Sequence, residues 1–214
     1  MNRKDLSGLR QEYAASTFEK KVAHPNPLAQ FNIWFDQAME TDIPEPNAMT
    51  LATVSPQGHP AARVMLLKGV DHESFVFYSN YQSDKGKHLE HTPRASMVFL
   101  WLGLQRQVRI DGKVEKIPAA ESDAYFASRP HSSQVGALAS PQSKVIPNRK
   151  HLEDRFAALD EAHQETPPVR PDHWGGYRLI PERFEFWQGR VSRLHDRLLY
   201  VKEGKNWVIH RLAP

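Results

Sequence analysis

The sequence predicts a mainly β or α+β protein, an antiparallel β-barrel with helices packed around it. Three observations lead there. Short apolar runs recur along the chain, each bounded by Pro, Gly, Asn or Ser clusters that favour turns. Several are close enough in sequence to pair as hairpins. Helical periodicity is confined to a few intervening segments.

Residues 1–25 form a polar N-terminal arm, with a short helix possible over Asp5–Ala15, and residues 26–214 form a single domain. Asn26-Pro27 opens a helix as N-cap and first helical residue, and Leu28, Phe31, Trp34, Phe35 and Ala38 make its apolar stripe. The loop Asp42–Pro46 ends it. Strands are expected at 48–55 and 62–70, joined by a turn at Pro56-Gln-Gly58, and at 74–79, 95–102 and 107–117. Helices are expected at 83–91, 118–128, 133–139 and 148–164, the last with Leu152, Phe156, Leu159 and Ala162 on one stripe. Two further strands, 177–180 and 184–187, precede a hairpin whose arms, 198–201 and 207–212, meet across Glu203-Gly-Lys205.

Composition narrows the function classes. The chain of 214 residues has no cysteine, which excludes disulfides and thiolate chemistry. Its net charge of +3 comes from 28 basic and 25 acidic residues that are scattered rather than blocked. That pattern weakly favours small anionic ligands and gives no nucleic-acid stripe. The 11 histidines contain no His-Glu-x-x-His pattern, and no metal is expected. No apolar run approaches the ~20 residues of a membrane span. The charged N-terminus lacks a signal-peptide core, so a cytoplasmic protein without membrane association is expected.

The densest chemistry lies in Glu185–Arg197. Two aromatics and Gly189 are followed by Arg193, His195 and Arg197 at alternate positions. Gly189 is expected to turn the chain tightly. If the following segment is extended, the three side chains leave on one face. Solvation is one answer to their repulsion, and an anionic ligand, a phosphate or an electron-rich ring, is the other. Arg63 and Lys68 stand five apart, which sends them to opposite faces of a regular strand. Tyr78, Ser79 and the serine-capped helix start with Lys85 and Lys87 suit a phosphate. Tyr125 and Arg129 are helix neighbours, Pro130 ends that helix, and Ser133 falls where the next begins, which suits either a second phosphate cradle or an ordinary helix end with a C-terminal arginine. Gln107 can both donate and accept. Gln142 and Ser143 carry no signal of their own.

Phe186-Trp-Gln-Gly189 followed by Arg193-Leu-His-Asp-Arg197 resembles the C-terminal signature of the pyridoxamine 5′-phosphate oxidases. The likeness extends over nearly the whole chain. It implies an FMN-binding split β-barrel, a homodimer with FMN at the interface, and oxidation of pyridoxamine or pyridoxine 5′-phosphate by oxygen to pyridoxal 5′-phosphate and hydrogen peroxide. Arg63, Val64, Met65, Leu66, Leu67, Lys68, Tyr78, Ser79, Lys85, Gln107, Gln142, Ser143, Trp187 and Arg197 match cofactor contacts. Lys68, Tyr125, Arg129 and Ser133 match the substrate-phosphate set. Arg193, Leu194 and His195 match groups at the reacting end, with Arg193 and His195 as catalytic candidates. Arg10 and Tyr13 match an N-terminal segment that closes over substrate. The chain departs from the family at Asp84-Lys85, where Arg-Lys is common, and at Pro141, which replaces a lysine. Two rival classes are a flavin-binding barrel without this activity and a basic nucleic-acid module. The first would have lost Tyr125, Arg129, Arg193 and His195, which are present; the second lacks a charge stripe.

Overall fold

The structure, a computed structural model, describes residues 8–9, 12–13, 16–71 and 73–214. Arg10 and most of the helix expected over 5–15 lie outside the described residues. The described residues hold five α-helices and nine strands: α1 (Pro27–Met39), β1 (Ala48–Val54), β2 (Pro60–Leu66), β3 (Gly69–Val70), β4 (Phe75–Asn80), α2 (Asp84–His91), β5 (Arg94–Trp101), β6 (Arg106–Lys116), α3 (Ala119–Ser128), α4 (His131–Ala139), α5 (Arg149–Ala162), β7 (Trp174–Gln188), β8 (Asp196–Glu203) and β9 (Asn206–Leu212). The strands form one sheet in the order β2-β1-β5-β6-β7-β4-β3, with β8 paired to β7 and β9 to β8. The β3–β4, β4–β7, β7–β8 and β8–β9 pairs are antiparallel.

The chain forms two compact units. The first comprises the described residues of Met1–Met49, Met97–Ile110 and Glu182–Pro214. Here Asn26 caps α1, its Oδ1 accepting from Leu28 N at 2.8 Å. The helix buries Leu28, Phe31, Trp34 and Ala38, while Phe35 is only half-buried. Phe31 meets Phe99 at 5.0 Å and Trp34 meets Phe186 edge-on at 5.3 Å. The β8–β9 hairpin turns at Gly204, whose φ of +61° suits the left-handed conformation such a turn needs.

The second unit comprises Thr50–Ser96 and Asp111–Pro181. Ser83 caps α2, and Pro118 and Pro130 occupy the cap positions of α3 and α4. Residue Arg129 ends α3 in extended conformation ahead of Pro130, as the restriction before proline requires. No residue of α5 is fully buried: Leu152, Phe156 and Leu159 are half-covered and Ala162 is exposed, so its stripe is narrower than its spacing predicts.

Two strand expectations change. The run expected at 62–70 breaks after Leu66, and Lys68 follows the break with its N–H bonded to Val76 O. Conversely, the two strands expected at 177–180 and 184–187 are the single strand β7 of 15 residues. Pro181 is tolerated there because β7 pairs with β4 over 174–179 and with β8 over 183–188. The missing N–H falls between those two ladders.

Candidate active site

In the second unit a cleft of about 360 Å³ is lined by Val64, Met65, Leu66, Lys68, Tyr78, Ser79, Asn80, Tyr125, Arg129, Gln142 and Trp174. Its aromatic wall is a stack: Tyr78 and Tyr125 lie 3.7 Å apart between centroids, and Trp174 lies 5.6 Å from Tyr78. Strand β4 presents Tyr78, α3 presents Tyr125, and the start of β7 presents Trp174. Burial raises the pKa of both phenols, so each keeps the proton it can donate. The Arg129 guanidinium lies 4.6 Å above the Trp174 ring. That contact fixes it in place. Its Nη1 is buried and has no hydrogen-bond partner among the described residues. A buried cationic N–H without an acceptor is costly, and an anion would satisfy it.

Beside the cleft, Lys85 is buried within the first turn of α2. Its Nζ donates to Ser79 Oγ and Gln142 Oε1 at 3.1 Å each, and to Ser83 Oγ at 3.4 Å. All three acceptors are uncharged. Burial and the charge of Arg63 lower its pKa, and Asp84 opposes them. Asp84 is exposed at the first helical position, where a carboxylate favours the helix dipole. Arg63 is held by Leu51 O at 3.1 Å and Thr53 Oγ1 at 2.7 Å, and Thr53 in turn meets His88 Nδ1 at 3.0 Å. Thus Ser79, Lys85 and Gln142 come together, and Lys68, Tyr125 and Arg129 share the cleft. Ser133 is half-buried in the first turn of α4 and does not line the cleft; α4 begins at His131, two residues before the expected start. Leu67 is buried in the core, and Ser143 is exposed with a φ of +66°.

The first unit holds a second cluster. Trp187 and His195 lie 4.6 Å apart, and Tyr13 meets each ring at 5.8 Å. The Arg190 N–H donates to His195 Nδ1 at 3.1 Å. Only an unprotonated nitrogen accepts, so the ring is neutral with its proton on Nε2. Burial and the Arg193 charge both lower its pKa, which keeps it so.

The expected common face of Arg193, His195 and Arg197 is not formed. Gln188 pairs with Asp196, so the intervening residues must reverse direction. They do so through a 3-10 turn over Val191–Arg193, in which Ser192 and Arg193 have positive φ. Arg193 and Leu194 are exposed at this turn, Leu194 by 69%. Arg197, on β8, is committed to the buried Glu185 at 2.6 Å and to Ala213 O at 2.7 Å. Nor does Gly189 make the turn. A Cβ there would lie 2.9 Å from Tyr13 and 3.0 Å from Gln105, so its role is close approach. Gln107 is half-buried on β6.

Thr53, Trp174, Glu185 and Asp196 shape these clusters and were not singled out from sequence. Trp174 alone carried a signal, an aromatic opening a strand; the others become legible only through strand register.

Residues 35–162 match the family model described as pyridoxamine 5′-phosphate oxidase. The chain belongs to that family. Residues 174–214 match the pyridoxine 5′-phosphate oxidase C-terminal dimerisation region. A pyridoxine/pyridoxamine 5′-phosphate oxidase of Gloeothece citriformis is 53% identical over 98% of both chains. Among solved structures, PhzG from Burkholderia lata 383 in complex with tetrahydrophenazine-1-carboxylic acid has a TM-score of 0.88 at 29% identity, covering 94% of this chain and 99% of that one. A pyridoxamine 5′-phosphate oxidase-related, FMN binding protein of Nostoc punctiforme has a TM-score of 0.69 at 16% identity, covering 87% of this chain and 96% of that one. The α+β split-barrel class expected from the sequence is the fold of this oxidase family member. No helix among the described residues is long and apolar enough to cross a membrane.

Proposed function

We propose that the protein oxidises pyridoxamine or pyridoxine 5′-phosphate to pyridoxal 5′-phosphate, with FMN as cofactor and oxygen as final acceptor, yielding hydrogen peroxide and, from the amine, ammonia. The observation that carries this reading is the pair of underused cations in one unit. Lys85 is buried against uncharged oxygens only, and Arg129 keeps a buried N–H with no acceptor. Two anionic groups, one on cofactor and one on substrate, would answer both.

These residues fit FMN. Lys85, Ser79, Gln142 and the N-terminus of α2 would take its phosphate, with Arg63 held near by Thr53. Bound FMN supplies the hydride acceptor that no side chain of this protein can provide. The chain's own work is binding and orientation. Arg129, Lys68 and the protonated Tyr125 hold the substrate phosphate. His195 offers an Nε2–H donor to the pyridine ring or its substituents, and Arg193 offers a permanent charge that steadies the ring as its electron density changes. Tyr13 and Trp187 wall the histidine in. Phosphate anchoring converts binding energy into a fixed reactive pose.

The likeness to PhzG, solved in complex with tetrahydrophenazine-1-carboxylic acid, raises a second class, a ring ligand carrying a carboxylate instead of a phosphate. The cation set around Arg129 favours the phosphate. The deciding experiment is the absorbance spectrum of the purified protein before and after anaerobic addition of pyridoxamine 5′-phosphate. A yellow protein that bleaches supports the reading. A yellow protein that stays unchanged overturns it.

A further inference from the structure

We infer that Asp196 is a positioning residue that clamps the N-terminal arm and the 189–195 loop to one carboxylate, and so holds Tyr13 against His195. The inference rests on the proposed function only in taking Tyr13 and His195 as substrate-facing.

Four contacts carry it. Asp196 is buried at the start of β8. Its Oδ2 accepts from the Phe18 backbone N–H at 2.9 Å and from Arg190 Nη1 at 3.0 Å. Its Oδ1 accepts from Arg211 Nη1 at 2.7 Å. Arg190 is also the residue whose backbone N–H fixes His195 Nδ1. One carboxylate therefore ties together the arm, the loop that sets the histidine tautomer, and β9. Burial alone would raise the pKa of Asp196. The Phe18 and Arg211 hydrogen bonds and the two arginine charges outweigh it, so the group stays ionised.

The surroundings suit a clamp. Phe18 is buried, 4.7 Å from Trp34 and 6.1 Å from Phe186. Behind it, Lys20 Nζ donates to Ile209 O at 2.8 Å, and Tyr200 Oη donates to His24 O at 2.9 Å. The arm is thus anchored from Phe18 to His24. Tyr13 lies five residues before Phe18, seated on Gly189, where a side chain would collide with it. A five-residue stretch reaches at most about 18 Å when extended, so fixing Phe18 limits how far Tyr13 can stray from its seat on Gly189.

The test uses FMN-loaded protein. Asp196→Asn keeps the shape but pairs poorly with two arginines. It should raise the KM for pyridoxamine 5′-phosphate about tenfold with kcat nearly unchanged. Trypsin cleavage after Lys20 and Lys21, read by mass spectrometry, should accelerate by a similar factor. In a Tyr13→Ala background the KM effect of Asp196→Asn should fall well below tenfold, because the clamp acts mainly through Tyr13. A general structural role predicts that the two effects multiply, and that result overturns the inference. Should Asp196→Asn fail to fold, Arg211→Gln, at an exposed strand position, loosens the same carboxylate. It should move KM and cleavage in the same direction by about two- to threefold; no change in either overturns the inference. The trypsin readout does not depend on catalysis. Parent protein without turnover would overturn the proposed function and leave proteolysis to decide the clamp.

Discussion

Arg129 and His195 show how a residue's surroundings decide what it can do. Arg129 is pinned over Trp174 with one N–H unanswered, so its loss should be felt by the substrate and not by the flavin. Arg129→Ala should weaken substrate binding about ten- to a hundredfold, the worth of one charge-assisted hydrogen bond, and leave the flavin spectrum intact. Loss of bound FMN with unchanged substrate affinity would show that the two phosphate sites are interchanged. For His195 the pKa lies below that of a free imidazole because of burial and Arg193. Its neutral form is the one that receives the Arg190 N–H. Substrate affinity should therefore be flat above about pH 6.5 and fall only as the pH drops through the lowered value. The sign for stability is the same: below about pH 6.5 the unfolded chain takes up the proton first, so this contribution declines with acidification. Titration of KM between pH 5 and 8 checks it, and a His195→Ala variant should lose that dependence. The residue types were legible in the sequence, because Lys85, Arg129 and His195 stand in motifs whose chemistry is local. Their partners were not. The Glu185–Arg197 ion pair and the Asp196 clamp arise from strand register and from a contact 178 residues apart, which spacing does not encode.

At the scale of elements, caps and breaks were legible where one residue decides them. Asn26 and Ser83 cap their helices as their side chains allow, and Pro130 stops α3. Elements set by tertiary pairing were less so. Pro181 looks like a strand end until β4 and β8 are known to leave it an unpaired slot. The stretch 193–197 looks extended until the pairing of Gln188 with Asp196 forces a turn into it. Close approach is also hidden from pattern reading. A Cβ on Gly86 would lie 2.1 Å from the carbonyl oxygen of Tyr81. Backbone cannot yield as a flexible side chain does, so Gly86→Ala should push the start of α2 outward. We expect destabilisation of about 1–3 kcal/mol, as for other overpacked sites, together with weaker FMN retention, because Lys85 sits in the same turn. Thermal unfolding and the ratio of flavin to protein absorbance after gel filtration measure the two effects. An unaltered ratio in a destabilised variant would separate α2 from cofactor binding.

For the whole molecule, the proposed site residues divide between two units of the chain. Lys68, Tyr78, Ser79, Lys85, Tyr125 and Arg129 belong to one, and Tyr13, Trp187, Arg193 and His195 to the other. The cleft wall includes Val64, which is 69% exposed. Apolar surface of this kind beside a ligand cleft suits cover by a second chain. Residues 174–214 match a dimerisation region of the family. We expect a homodimer with FMN at its interface and each site built from both copies. Sedimentation should give a dimer, and an active, FMN-loaded monomer would end the idea. Complementation tests the shared site directly. Arg129→Ala and His195→Ala chains, each impaired in substrate binding, are unfolded together and refolded as a mixture, and activity is read at a substrate concentration well below the KM of either variant. In an isologous dimer the two copies exchange the same surfaces. A mixed dimer then has one site carrying both substitutions and one carrying neither. Random pairing makes half the dimers mixed, so activity should recover to about a quarter of the parent value. If Arg129 and His195 instead serve the same site from the same chain, every site keeps one lesion and mixing restores nothing.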